Sequence, residues 1–259
     1  MNAKEKYPWR LFWVLFTAGL IGLAAAMPYT VALIGGILRR VALPVPLPLL
    51  LGLQFLQGAV VLAIAVGLGL LLSRKIGLGA PALEAWLYQR AAVKPRTFQI
   101  SIISGAAIAT LIVLLVYFVF LRLMPQLPVA MEAAIPLWKR FLACFYGGLY
   151  EELLMRFFIL SLFLWLISKV WRRPDGRPTR TAFWTANIIV AVLFGLGHMP
   201  LASQLMPVTA VTIVYILSLN GIAALAFGYL YWERGLEAAM VAHFTADLVL
   251  HVASPALLK

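Results

Sequence analysis

The chain has 259 residues, 64% of them hydrophobic and 12% charged, with a mean hydropathy of +0.98. That composition excludes a water-soluble globule and a disordered chain, because its preferred solvent is lipid. The formal charge of +12 would suit nucleic acid, but Lys and Arg fall in short loops between apolar runs. Membrane proteins place them there to fix orientation and meet anionic headgroups, so nucleic acid is not expected as a partner.

Runs of about 20 apolar residues predict membrane spans at 11–37, 48–72, 99–121, 141–168, 181–198, 206–232 and 237–254. Asn220 and Gly221 interrupt the sixth. The polar–glycine break divides it into two short helices, 206–219 and 221–232, which turns seven spans into eight. The expected fold is therefore an all-α, polytopic helical bundle with seven or eight spans, forming one membrane domain over 1–259.

The connections add detail. The start of the chain has a basic, then apolar, pattern like a signal peptide, but its apolar run is too long and reads as an uncleaved first span. The proline-rich stretch 41–49 reads as a stiff connector, and ALEAWLYQR at 82–90 as a short interfacial helix. Basic residues crowd 73–98 and 169–180. With eight spans, that bias predicts both termini on the cytoplasmic side of a multi-pass protein of the cell membrane. The single Cys144 excludes an intrachain disulfide and a multi-cysteine metal cluster, and reads as core filling.

Polar residues inside the spans are few. YEELLMRF at 150–157 places Glu151, Glu152 and Arg156 within six residues, one turn after Gly147 and Gly148. Each such charge costs at least about 2.5–3.5 kcal/mol at mid-membrane, so together they mark a functional site. The three histidines are His198 at the end of span five, His243 in the last span and His251 eight residues later. Asp247 stands at i+4 from His243, on the same helical face. Five polar groups facing lipid separately would be prohibitive, so a shared interior pocket is expected.

These residues resemble the CPBP intramembrane endopeptidases, the CAAX-protease and Abi group. Glu151, Glu152 and Arg156 match the family's EExxxR; Phe194 and His198 match FxxxH; His243 and Asp247 match HxxxN/D. The ordered set spans 140–250, whereas 1–98 carries no signature. The resemblance implies a catalytic core in which a glutamate-activated water hydrolyses a peptide bond, without a covalent intermediate. Glu152 and Arg156, in the favourable i, i+4 order, are expected to pair and leave Glu151 as general base. His198 would hold the water and His243 would meet the oxyanion, while Asp247 either stays protonated in an apolar site or, the favoured reading, fixes the tautomer of His243.

No cofactor and no metal ligand follows from this reading. The expected partners are the bilayer and a membrane-associated peptide or lipidated protein; oligomeric state is left open. A zinc protease is the nearest alternative enzyme, although HExxH is missing. Ser161, Ser168 and Ser218 lack a nucleophile motif. A proton-coupled transporter or an immunity or binding factor is the non-enzymatic alternative, without an inverted repeat to support it.

Overall fold

The computed structural model describes residues 7–38, 45–89, 91, 93–125, 127, 132–256. The secondary structure there is helical, with one isolated bridge between Arg172 and Pro178. In chain order the α-helices of four or more residues are α1 (Trp9–Leu33), α2 (Gly35–Leu38), α3 (Leu47–Lys75), α4 (Pro81–Tyr88), α5 (Arg96–Leu115), α6 (Leu137–Phe145), α7 (Ser161–Ser168), α8 (Arg180–Leu205), α9 (Ala210–Arg234) and α10 (Leu236–Asp247). Wider π turns fill Val116–Phe120, Tyr146–Glu151, Leu153–Leu160 and Leu248–Ala253.

Apolar side chains surround these helices instead of lining one stripe. Ile64, Ile103, Ile188 and Val214 are exposed, while Leu15, Leu62, Leu153 and Phe157 are fully buried. Helices apolar on every side belong in lipid. Among the described residues six helices are long and apolar enough to cross a membrane: Trp9–Leu33, Leu47–Ile76, Arg96–Leu123, Arg180–Leu205, Ala210–Arg234 and Leu236–Ala253. The protein is an all-helical, multi-pass membrane protein.

The count departs from the expected seven or eight for two reasons. The segment anticipated at 141–168 is a run of short α and π pieces from Leu137 to Ser168, not one long α-helix. The break at Asn220 is not made. Asn220 Nδ2 donates to Ile216 O at 2.9 Å within its own helix, and nothing crowds Gly221, so α9 continues through both. Nor does the fifth span stop at His198, since α8 reaches Leu205 with Pro200 inside it.

The uncut α9 also corrects the placement of the termini. Leu236 N donates to Gly79 O at 3.0 Å and Leu83 N to Glu237 Oε1 at 2.8 Å, which brings the α9–α10 turn to the 73–98 loop. Leu11 N reaches Tyr88 Oη at the same end, and Lys75 and Lys169 both sit over the Trp165 ring. The start of α1 and the basic loops thus share one end of the bundle. The last described residues lie at the other end, where His251 meets Glu132 and Tyr29. The interfacial helix expected at 82–90 appears as α4, with Trp86 72% exposed. Of the stretch 41–49, residues 41–44 lie outside the described residues and Leu47 already begins α3.

Candidate active site

Two glycines set the spacing of the site. A Cβ on Gly147 would stand 2.9 Å from His243 Nε2 and closer still to Asp247 Oδ2; one on Gly148 would stand 2.8 Å from Phe244 Cβ. Real Cβ atoms do not approach so near. Only glycine lets the π run beginning at Tyr146 lie against α10, which brings the glutamates within reach of His243.

The two glutamates then part company. Glu152, wholly buried, accepts a hydrogen bond from His243 Nδ1 at 2.7 Å and faces Arg156 Nη1 at 2.9 Å. The Arg156 contact is close but outside hydrogen-bond geometry, and Glu152 Oε2 and Arg156 Nη2 have no hydrogen-bond partner among the described residues. Arg156 is instead packed against aromatic faces, 4.9 Å from the Phe194 ring centroid and 5.5 Å from that of Phe227, a cation–π arrangement whose strength rises with desolvation. Phe227 also stacks on His243 at 4.7 Å. Glu151 turns the other way, with its side chain 18% exposed and Oε2 3.7 Å from His243 Nε2.

Asp247 Oδ1 is likewise 3.7 Å from His243 Nε2, beyond hydrogen-bond reach. Glu152, and not Asp247, therefore fixes the orientation of this imidazole. Asp247 stands between two rings, with His251 Nε2 at 3.9 Å. His198 Nδ1 bonds Phe194 O at 2.8 Å, which leaves Nε2 to face the interior, and its ring meets that of Phe194 edge to face at 4.7 Å.

Glu151, His198, His243 and Asp247 line one cavity of about 440 Å³. Glu152 and Arg156 lie behind its wall. Sequence reasoning missed or left unassigned five further groups here: Glu132, Tyr29 and His251 at the mouth, Asn220 on the wall, and Phe227 beneath His243. His251, at i+4 from Asp247, was visible in the spacing; Phe227 resembles any apolar span residue. Burial pushes the Glu132 carboxyl up, but His251, Tyr29 and Arg140 outweigh it and hold it below the usual carboxylate range. Ser161 pairs with Tyr231 at 2.9 Å, while Ser168 and Ser218 bond carbonyls of their own helices. Cys144 is fully buried. Among the described residues no three His, Cys, Asp or Glu side chains are disposed to hold a metal ion.

Residues 133–249, which contain all seven motif residues, match the family described as type II CAAX prenyl endopeptidase Rce1-like. This segment is therefore similar to the Rce1-like CAAX proteases. No curated protein and no solved structure matches the chain. The matched segment starts one residue after Glu132 and ends two before His251, so the cavity is lined partly by residues outside it.

Proposed function

We propose that this chain is a CAAX protease that cleaves a membrane-associated peptide or lipidated protein by a water that Glu151 activates, with His198 holding the water. The supporting observation is the separation of the two carboxylates. Glu152 is committed to His243 and Arg156, whereas Glu151 lines the cavity with His198, His243 and Asp247. A general base must be within reach of its proton and not already bound.

In this mechanism Glu151 takes a proton as the water oxygen attacks the scissile carbonyl carbon. His243 in its doubly protonated form donates Nε2–H to the oxyanion and keeps Nδ1–H on Glu152. A preorganised donor of this kind contributes about 3–4 kcal/mol to lowering the barrier. Collapse of the tetrahedral intermediate expels the amine, which receives the proton held by Glu151. The apolar walls, including Ile112, Val116 and Leu219, exclude bulk water and take the hydrophobic part of the substrate.

Glu132 and His251, 27% and 31% exposed as side chains, line the cavity at the end of the bundle away from the basic loops, and the proposed entrance is there. With those loops cytoplasmic, substrate enters from the opposite leaflet. A panel of quenched-fluorophore peptides, with and without a prenylated cysteine, tests the chemistry on purified chain in detergent. Cleavage by wild type but not by Glu151→Gln or His198→Ala, unchanged by EDTA, is the expected result. Equal cleavage by Glu151→Gln overturns the proposed base, and loss in EDTA overturns the metal-free route.

A further inference from the structure

Asp247 is flanked on its outer side by a second carboxylate–imidazole pair. His251 Nδ1 hydrogen-bonds Glu132 Oε1, which also accepts from Tyr29 Oη at 3.1 Å. The Tyr29 and His251 rings meet edge to face at 5.8 Å. The backbone of His251 is fixed as well, because Arg140, only 3% exposed, donates Nη1–H to its carbonyl at 3.0 Å and Nε–H to Ile135 O at 3.0 Å. Four parts of the chain, α1, the 132–135 turn, α6 and the last π segment, thus converge on one imidazole whose free nitrogen points at Asp247.

From Glu132 inward the groups alternate acid and cation or imidazole: Glu132, His251, Asp247, His243, Glu152, Arg156. An ionised Asp247 facing only the already committed His243 would be poorly compensated in this low-dielectric site, and the His251 imidazole on its far side, with Nε2 at 3.9 Å, offsets that through space rather than by a direct hydrogen bond. We propose that His251, clamped by Glu132 and Tyr29, is a positioning residue that orients Asp247 toward His243 and so ties the mouth of the cavity to the site. Its kinetic consequence rests on the hydrolase reading above; its structural consequence does not.

The chain's three histidines make the coupling directly readable. Chain labelled with ¹⁵N-histidine, purified in detergent micelles, gives three imidazole patterns in long-range ¹H–¹⁵N correlation spectra. Tyr29→Phe and Glu132→Gln should each move the ring signals of His251 and also those of His243, while His198 stays in place. Adding Asp247→Ala to either should abolish the response of His243 and keep that of His251. A His243 pattern unmoved by both single variants overturns the proposal, and the mild Tyr29→Phe change keeps the test open should Glu132→Gln fold poorly. On a cleaved panel peptide, Glu132→Gln should lower kcat by about tenfold, the order seen for outer hydrogen-bond partners, with KM held and partial rescue by Glu132→Asp. A rise in KM alone would assign the pair to substrate binding and overturn positioning. If no panel peptide is cleaved by wild type, the hydrolase reading fails while the ring spectra still decide the coupling.

Discussion

Asp247 divides two carboxylate–imidazole pairs that share a chemistry and differ in surroundings. On the inner side, Glu152 and His243 are 0% and 8% exposed as side chains and are enclosed by Phe227, Phe194 and Arg156. On the outer side, Glu132 and His251 are 27% and 31% exposed and look into the cavity mouth. The same pairing therefore serves two ends. Where it is buried, opposite charges and aromatic faces enclose the pair and it acts as framework; where it is more exposed, the pair can respond to what occupies the cavity.

The sharpest way to break the inner side is Arg156→Met. It leaves Glu152 buried with His243 as its only ionic partner, and removing one member of a buried pair costs about 3–5 kcal/mol. Thermal unfolding in detergent should show a loss of that size. Glu151→Gln gives the opposite signature: peptide cleavage falls by about 10²–10⁴-fold, the range for a lost general base, while the unfolding midpoint stays within a degree or two. Gly147→Ala tests whether the close approach holds both sides together. The added methyl must displace His243 or Asp247, an overpacking cost of about 1–3 kcal/mol, visible in both unfolding and turnover.

The outer side should show itself through pH. Glu132 is held below its usual value of 4.5, so its ionised form is favoured by folding. The stability it contributes is present above that value and is lost as pH falls through the lower folded one. Wild type should therefore lose stability more steeply below about pH 4.5 than Glu132→Gln does, measured as unfolding midpoint against pH. Least affected should be Asn220→Ala, within about 0.5 kcal/mol as for substitutions away from packed features; its side chain only bonds a carbonyl of its own helix.

That last residue also shows what the sequence could and could not convey. Long apolar runs marked the membrane helices because hydropathy is a property of each segment alone. Asn220 followed by Gly221 has the appearance of a break, yet a side-chain amide can return its hydrogen bond to the preceding turn, and the sequence does not reveal which it does. The motif residues were legible through their order, and the structure brings them to one place. Their pairing was not legible: 91 residues separate Glu152 from His243, and the choice of Glu152 over Asp247 as partner is made by the glycine contact between the π run and α10. Glu132 lay in a short turn without periodicity, 119 residues from its partner His251, and only folding supplies its meaning.

The buried leucines and phenylalanine that follow the glutamates acquire a second role from their place beside the cavity. Leu153, Phe157, Leu160 and Leu164, all fully buried, occupy the length of the 137–168 run between Glu152 and the basic loop at 169–180. Hydrolysis inside a bilayer needs a water supply, and a cavity of about 440 Å³ holds on the order of ten molecules. A wire of water continuing to the other face would short-circuit the proton gradient. For the proposed hydrolysis, this apolar plug beneath the site would let water in from one side while the membrane stays electrically sealed.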